Sequence, residues 1–258
     1  MDLTQREERE RVLALLRAIA KAPEEGWALM PLLRRYPRPG GTYAKSQLLG
    51  AYHQLVEEGV LPESPLVEQR LRGRPVRTLS GVAPVAILTK PYPCPGQCIF
   101  CPAQKGAPKS YLDGEPGVLR ARQNRYDPFA QTAARVEALE AIGHPTDKIE
   151  LLILGGSWSA YPVSYQAWFL QRAFDALNGE ASESLSDALR RNESARHRNV
   201  GLVIETRPDM ITPAEVLHLR QQGVTKVQLG VQSLDDRILA LNRRGHSVDA
   251  TRQAMRSV

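Results

Sequence analysis

Apolar and polar positions alternate along most of the chain in blocks that predict strands followed by helices. Short runs in which almost every residue is apolar indicate buried strands, and each run precedes apolar residues at helical spacing. The predicted strands are 82–88, 149–154, 201–205 and a segment containing Val227, Leu229 and Val231. This alternation is typical of parallel strands joined by right-handed crossovers, in a sheet buried on both faces.

The helices between these strands are placed by periodicity and by their end signals. Thr212 and Pro213 start one helix with a capping residue and a proline in the first turn, and Gly223 ends it. The other predicted helices are 128–142, 162–178 and a segment containing Ile238, Leu239 and Leu241. A polar stretch at 180–199 is predicted to be a surface insertion or a frayed helix.

Either a doubly wound sheet or a (β/α) barrel satisfies this pattern, and the polar residues after the strands favour the barrel. Loops at the carboxyl ends of barrel strands are where such folds build their sites. The polar groups in those positions are three cysteines, Gly155-Gly156-Ser157, Glu205, and Gln232-Ser233.

The first part of the chain has a different pattern, with predicted helices and no predicted strand. Residues 1–65 are predicted to form a helical module, which resembles a winged-helix unit or is a helical cap on the main domain. Residues 66–80 are predicted to be an extended basic linker that tracks a phosphate backbone or is simply solvated. Residues 81–258 form the predicted barrel domain.

Composition places the chain among soluble globular proteins with a basic balance. The 258 residues carry a net charge of 34 − 28 = +6, and the apolar fraction is 42%. A basic balance favours a polyanionic partner. No apolar run reaches transmembrane length and the start lacks a signal peptide's apolar core, so we expect a cytoplasmic protein that interacts with no membrane.

The three cysteines of the chain stand together as Cys94, Cys98 and Cys101, in a C-x3-C-x2-C spacing. Clustered thiolates favour zinc or an iron–sulfur cluster. A structural zinc site usually needs four protein ligands, and a disulfide framework leaves one thiol over. A four-iron cluster on three thiolates leaves one iron open to a small molecule. A zinc knuckle or three reduced structural cysteines are the alternatives.

The cysteine loop resembles that of the radical S-adenosylmethionine (SAM) enzymes, which implies a [4Fe-4S] cluster and SAM as cofactors. Glycines after a strand let a ligand approach the backbone, and a carboxylate at a strand end can accept hydrogen bonds from hydroxyls. The resemblance implies that the methionine part of SAM contacts the loop at 155–157 and that its ribose contacts Glu205 and Gln232. The implied partner of the methionine carboxylate is Arg244. The implied SAM residues are Gly155, Gly156, Ser157, Glu205, Gln232 and Arg244.

Five further motifs, in order, resemble the Elongator catalytic-subunit family. They lie at 80–91, 120–129, 143–148, 205–209, and 230–233 with 244–246. The resemblance implies a partial (β/α) barrel of radical SAM type, with about four of the usual six or so βα units, preceded by the helical module. The acetyltransferase-like domain of that family is not among these 258 residues, so acyl transfer by this chain alone is not expected.

The same resemblance implies an enzyme that carboxymethylates C5 of the wobble uridine in tRNA with acetyl-CoA as carbon source. The adenosyl radical would take hydrogen from the acetyl methyl group, and the carbon radical would add to uridine C5. Lys148 matches the family lysine assigned to acetyl-CoA and is the predicted catalytic residue. The implied partners are tRNA, acetyl-CoA and an electron donor, in a homodimer or an Elongator-like assembly.

Basic residues around the cysteine loop and in the linker are the predicted RNA contacts, because cations in such loops can hold phosphates. They are Arg70, Arg72, Arg74, Arg77, Lys105, Lys109, Arg120, Arg122 and Arg125. Two other functions stay open: another radical SAM enzyme of the coproporphyrinogen-oxidase-like group, and a non-catalytic RNA-binding module with a structural metal cluster.

Overall fold

A computed structural model of the protein describes residues 3–38 and 41–258. A sheet of four parallel strands is the framework of the larger part. The strands are β1 Ala83–Leu88, β2 Lys148–Leu154, β3 Arg198–Thr206 and β4 Lys226–Leu229. In register, Val85 pairs with Leu151 and Leu151 with Leu202.

Helices precede, connect and follow the strands. Before β1 lie α1 Arg6–Lys21, α2 Leu29–Arg35, α3 Lys45–Glu57 and α4 Pro65–Leu71. Between β1 and β2 lie α5 Pro116–Gln123 and α6 Pro128–Glu140, and between β2 and β3 lie α7 Val163–Asn178 and α8 Leu185–Asn192. The later helices are α9 Pro213–Gln221, α10 Asp236–Leu241 and α11 Val248–Ser257. Short 3₁₀ turns occupy Pro75–Thr78, Trp158–Ala160 and Pro208–Met210.

The strand order confirms the partial (β/α) barrel. The strands lie in the order β1-β2-β3-β4, so each strand pairs with the next one in the chain, and every pair is parallel. A doubly wound sheet would instead reverse its strand order at a switch point. All carboxyl ends of the strands therefore meet at one edge, where barrel enzymes place their sites.

The chain divides into two compact units, residues 1–81 with 137–146, and residues 82–136 with 147–258. The first unit has its own core, where α1 and α3 bury Leu15, Leu16, Leu48 and Leu55. These side chains are almost fully inaccessible because they lie on the apolar faces of amphipathic helices. The domain boundaries expected at 65 and 80 stay predictions.

The segment expected to be an extended basic linker is partly helical, which corrects that prediction. Ser64 caps α4 and Pro65 occupies its first turn, so Val67 and Leu71 are buried. Arg70 is buried too. Its guanidinium donates hydrogen bonds to the carbonyls of Ile19 and Pro23 at 2.6 and 3.1 Å, at the C-terminal end of α1.

The second unit contains the sheet, and its details differ from the predicted pattern in two places. The fourth strand ends at Leu229, because the Val231 N–H bonds back to the Leu229 carbonyl at 2.9 Å and Gln232 then takes a positive φ of 68°. The polar stretch at 180–199 contains α8, which is capped by Ser184 and packs against α7.

Among the residues described, no helix has the length and apolarity needed to cross a membrane.

Candidate functional site

A cleft of about 760 Å³ lies at the carboxyl ends of the strands in the second unit. Most of the predicted cofactor residues line this cleft, although they come from distant parts of the chain. They are Cys94, Cys98, Cys101, Gly156, Ser157, Glu205, Gln232 and Arg244. The structure therefore brings the predicted cysteine, SAM and strand-end residues together in one place.

The cysteine loop lies at the mouth of this cleft, and its three thiols are free. The sulfur of Cys94 lies 3.8 Å from Ser157 Oγ and accepts a hydrogen bond from the Gly96 N–H at 3.4 Å. The sulfur of Cys101 lies 3.4 Å from Ser110 Oγ. These contacts connect the cysteine loop to Ser110 and to the loop that follows β2.

Two arginines reach Cys98 from distant segments. Arg244 Nη1 lies 3.0 Å from Cys98 Sγ, and Arg207 Nη1 lies 3.9 Å from it. Arg207 also holds Asp209 through two nitrogens and donates to the Arg244 carbonyl. Sequence reasoning placed Arg207 in a family motif but missed it as a site residue, because its motif position gave no sign of the cysteine contact.

The charge of Arg207 is maintained by its acidic neighbours. Burial works against the cationic form, but the Asp209 carboxylate and the nearby thiols of Cys94 and Cys98 outweigh it, so the pKa of Arg207 is raised. Gly96 makes room for this guanidinium, since a Cβ at residue 96 would lie 2.2 Å from Arg207 Nη1.

Gly156 and Ser157, in the loop after β2, line the cleft, whereas Gly155 is not among its lining residues. Gly155 and Gly156 have φ values of 123° and 115°, which side chains rarely adopt. A Cβ at Gly155 would lie 2.2 Å from Thr89 Oγ1. The Gly155 carbonyl accepts a hydrogen bond from Tyr161 Oη at 3.2 Å, which holds the loop against the neighbouring segment.

Glu205 is the half-buried acid of the cleft. Burial raises its pKa, and the hydrogen bond that Tyr111 Oη donates to its Oε2, at 3.4 Å, works in the opposite direction. Burial, with the Glu205 carboxylate next, also raises the pKa of Tyr111, so its phenol stays protonated. The free carboxylate oxygen can accept hydrogen bonds from hydroxyl groups of a ligand.

Arg244, which lines the cleft beside Cys98, contains a polar atom that suits an anionic ligand. Arg244 is buried, and its Nη2 donates to the Gly230 carbonyl. Its Nε is also buried and has no hydrogen-bond partner in the described part of the chain. Gln232 lies near Arg244, since a Cβ built at Gly230 would be 3.4 Å from Arg244 Nη2 and 3.6 Å from Gln232 Nε2, and its backbone is left-handed, a conformation often kept at ligand sites.

The residues of the cleft fit a [4Fe-4S] cluster and SAM. Its three free thiols can bind iron, and the glycine backbone at 155–156 lets a ligand approach closely. Glu205 can accept hydrogen bonds from ribose hydroxyls, and Arg244 Nε is a donor without a partner in the described part of the chain. Within residues 3–38 and 41–258, no three His, Cys, Asp or Glu side chains are arranged around a single metal ion. A four-iron cluster does not require such convergence, because each thiolate binds its own iron.

Lys148, the predicted catalytic residue, is not brought to this cleft. It is exposed at the first position of β2, whereas the cleft lies beyond the last position of that strand. Six residues of strand separate the two positions by about 20 Å. The assignment of Lys148 to acetyl-CoA stays a prediction, and it concerns the end of β2 that lies away from the cysteines.

The predicted RNA contacts have mixed positions. Lys105, Arg120 and Arg125 are exposed in the second unit, and Arg74 is exposed in the first. Lys109 lines the main cleft, and Arg122 forms an ion pair with Asp113. Arg72 and Arg77 are half-buried, and Arg72 Nε donates to the Gly143 carbonyl at 2.8 Å. Burial removes Arg70 from the predicted set.

The fold is a partial parallel barrel, and its carboxyl edge has three free thiols and a glycine backbone that a ligand can approach. These features are typical of cofactor-dependent barrel enzymes. The model of the radical SAM superfamily matches residues 92–258. The chain belongs to the radical SAM superfamily. Members of this class hold a [4Fe-4S] cluster and SAM, and the residues of the cleft fit both groups.

The chain is also similar to proteins with more specific names. A tRNA uridine(34) acetyltransferase of Methanocaldococcus infernus is 50% identical over 190 residues, which cover 71% of this chain and 36% of that protein. The Elongator complex protein 3 of Drosophila melanogaster is 37% identical over 192 residues, covering 70% of this chain and 35% of that protein. The chain spans about a third of the length of the curated relatives it matches.

One solved structure has a similar fold. It is the archaeal Methanocaldococcus infernus Elp3 with an N-terminus deletion (1–46), with a TM-score of 0.55 and 42% sequence identity. The match covers 67% of this chain and 34% of that chain. This similarity supports the barrel assignment independently of the strand order.

Proposed function

We propose that the chain is the radical SAM portion of an enzyme that carboxymethylates C5 of the wobble uridine in tRNA with acetyl-CoA. The convergence of the three cysteines, the glycine cradle and Glu205 in one cleft supports a radical SAM site. The names of the relatives, tRNA uridine(34) acetyltransferase and Elongator complex protein 3, support the substrate. The proposed partners are tRNA, acetyl-CoA and an electron donor, in the cytoplasm.

The residues of the cleft divide the binding task between them. When bound, the cluster and SAM supply a one-electron reduction that yields a carbon radical able to abstract a hydrogen atom. Cys94, Cys98 and Cys101 would hold the cluster, and the cradle at 155–156 would accept hydrogen bonds from the amino group of SAM. Arg244 would donate through its unpaired Nε to the methionine carboxylate.

Two more groups would orient the rest of the cofactor. Glu205 can accept from both ribose hydroxyls, because Tyr111 occupies only one side of its carboxylate. Gln232, which also lines the cleft, can add an amide donor or acceptor. Lys148 lies at the other end of β2, so a contact with acetyl-CoA would be a binding contact away from the cysteines.

A labelling experiment tests this function directly. The whole enzyme that contains this radical SAM portion is reconstituted with iron and sulfide without oxygen, then mixed with SAM, dithionite, tRNA and acetyl-CoA deuterated on its methyl group. We expect release of 5′-deoxyadenosine that carries deuterium, measured by mass spectrometry. Deuterium transfer would show that the acetyl methyl group is the hydrogen donor.

The outcomes separate the three functions. Deuterated 5′-deoxyadenosine supports the proposal. Unlabelled 5′-deoxyadenosine, formed equally without acetyl-CoA, would contradict it and favour another radical SAM enzyme. Intact SAM in a protein that holds iron would favour a structural metal site.

Cys98→Ser tests the cluster itself. We expect the variant to lose most of its iron and all detectable SAM cleavage, because a hydroxyl is a poor ligand for iron–sulfur clusters. Ile99→Ser is the matched control, since the adjacent side chain is 63% exposed and is not part of the cleft lining. Full iron loading and cleavage in Cys98→Ser would contradict the assignment.

A further inference from the structure

A second cleft, of about 480 Å³, lies in the same unit and is separate in its lining residues from the main one. We call it the aromatic cleft. Its walls include Lys90, Arg125, Tyr126, Asp127, Tyr165 and Trp168. Lys90 follows β1 and Trp168 lies in the first half of α7, which follows β2. None of the roles assigned to the main cleft uses these aromatic residues.

The aromatic wall is rigid and exposed. Trp168 is 43% exposed although tryptophan is one of the largest apolar side chains. Its ring lies 5.6 Å from that of Tyr165, and Tyr165 stacks on Tyr161 at 5.1 Å and 24°. Rings held in this way offer a flat face to a ligand at little cost in conformational entropy.

This row of rings continues to the cysteine loop. Tyr161 lies 4.8 Å from Tyr92, which is two residues before Cys94. Tyr161 also bonds Thr89 Oγ1 at 2.7 Å and the Lys90 carbonyl at 2.9 Å. The aromatic cleft therefore lies on the carboxyl side of the sheet, as the cysteines do.

Cations border the aromatic face. Lys90 is exposed, and its ammonium lies 4.8 Å from the centre of the Tyr165 ring. Arg125 is exposed in a turn where it and Tyr126 have φ values of 54° and 56°. Two successive non-glycine residues in the left-handed region cost energy, and such strain clusters at ligand sites.

The acidic wall residue is already engaged within the fold. Asp127 Oδ1 accepts a hydrogen bond from the Ala130 N–H at 2.8 Å, at the N-terminal end of α6. Tyr165 Oη accepts from the Lys90 N–H at 3.1 Å, and burial raises the pKa of Tyr165 to about 12, so the phenol is neutral. The cleft thus offers cations and neutral aromatic faces.

We propose that the aromatic cleft binds an unpaired nucleotide of the RNA substrate, with its base against Trp168 and its phosphate at Lys90 and Arg125. Bases of single-stranded or loop RNA are recognised by aromatic stacking next to basic side chains, which is the combination found here. The inference rests on the proposed function, because that function makes RNA the substrate.

Binding of a tRNA transcript, followed by fluorescence anisotropy, tests this proposal. Trp168→Ala should weaken binding by about 5- to 150-fold, the effect expected when one base can no longer stack on a ring. Trp168→Phe keeps a ring and should recover part of the affinity. Leu217→Ala is the control for removal of an exposed apolar side chain, since Leu217 is 60% exposed on α9, and it should bind like the unaltered protein.

The cations are tested through the salt dependence of the same binding. The double variant Lys90→Ala, Arg125→Ala should show a less steep fall of log affinity with log salt. The slope should decrease in magnitude by about 0.7 for each phosphate that the variant no longer neutralises. Arg252→Ala removes an exposed charge from α11 and is the matched control. Circular dichroism of each variant identifies any that do not fold.

The results decide this inference separately from the proposed function. If the folded Trp168 and Lys90–Arg125 variants bind tRNA as tightly as the unaltered protein, or if that protein binds no RNA, the nucleotide site is wrong. Unchanged binding would instead favour a contact between Trp168 and a protein partner. Weaker binding by these variants supports the site even if no deuterium reaches 5′-deoxyadenosine, a result that would contradict the proposed function alone.

Discussion

Arg207 shows how much of this site depends on single side chains that local sequence does not reveal. Its guanidinium contacts Cys98, which is 109 residues earlier in the chain, and binds the carbonyl of Arg244. Buried guanidinium groups that make several charge-assisted hydrogen bonds hold their neighbours in a defined geometry. We infer that Arg207 is a positioning residue for the cysteine loop.

Arg207→Lys tests that role. Lysine keeps the charge but loses the planar fork, so we expect the free energy of unfolding to fall by about 1–3 kcal/mol. We also expect less iron per chain after reconstitution. Urea denaturation and iron analysis measure the two effects.

Arg237→Lys is the matched control for this substitution. Arg237 pairs with Asp235 two positions away, as Arg207 pairs with Asp209, but its side chain is 89% exposed. Its replacement should change stability by less than about 0.5 kcal/mol. Equal effects of the two substitutions would contradict a positioning role for Arg207.

The raised pKa of Glu205 predicts that the stability of the folded protein depends on pH. Burial raises its pKa in the folded protein above the ordinary value of 4.5, so the native state binds a proton more tightly than the unfolded chain does. The stability that the folded protein gains from this tighter proton binding is therefore fully present below pH 4.5 and is lost as pH rises through the raised pKa. Glu205→Gln cannot ionise, so its stability relative to the unaltered protein should increase as pH rises through this range.

Urea midpoints of both proteins, measured without ligand across this range, give that difference. The variant keeps an amide oxygen that can accept from Tyr111, so the contact of the phenol is retained. A difference in stability that is constant with pH would show that the folded protein does not disfavour the Glu205 carboxylate.

At the scale of elements, the loop after β2 is shaped by the segment that it touches. Thr89 follows β1, and its N–H bonds the carbonyl of Leu154, the last residue of β2, at 2.9 Å, which extends the pairing by one residue past the end of β1. Its hydroxyl occupies the space that a side chain at Gly155 would need. The glycine is thus required both by backbone conformation and by close packing.

Gly155→Ala tests this double requirement. The positive φ alone costs about 1 kcal/mol, and the contact with buried Thr89 adds to it, so we expect stability to fall by about 2–4 kcal/mol in total. Gly179→Ala is the control, because Gly179 has a φ of 77° but no atom within 4 Å of a built Cβ. Thermal or urea unfolding compares the two, and equal effects would mean that Thr89 moves aside.

The whole molecule contains two compact units with separate cores. Leu15 is fully buried in the first unit and Leu151 in the second. Cutting back a large buried side chain of this kind to alanine usually costs about 2–5 kcal/mol. Such substitutions can therefore show whether the units open as one or separately.

Native-state hydrogen exchange of Leu15→Ala and Leu151→Ala tests this. Leu15→Ala should lower protection chiefly in α1 and α3, and Leu151→Ala chiefly in β1, β2 and β3, because each core supports its own cooperative unit. Mass spectrometry of peptic fragments measures the protection of each segment. The same fall in protection in both units for either variant would show a single cooperative structure.

Local pattern was enough to predict the parallel strands, the barrel and the cluster of cysteines. Strand and helix periodicity and the C-x3-C-x2-C spacing are properties of neighbouring residues, so they can be seen before folding. The positions of the glycines after β2 and of Glu205 at the end of β3 were predictable for the same reason, whereas their roles in binding SAM rest on the family resemblance and stay predictions. The strand order confirms the fold and the superfamily match confirms the class.

Only the tertiary structure decided which side chains surround the thiols and which do not. Arg244 reaches Cys98 across 146 positions, Arg70 is drawn into the core of the first unit, and Lys148 is left at the opposite end of its strand from the cleft. These outcomes depend on contacts between residues far apart in the chain, whose energies no local pattern contains. The aromatic cleft has the same origin, because Lys90 and Trp168 line it together although they are 78 positions apart in the chain.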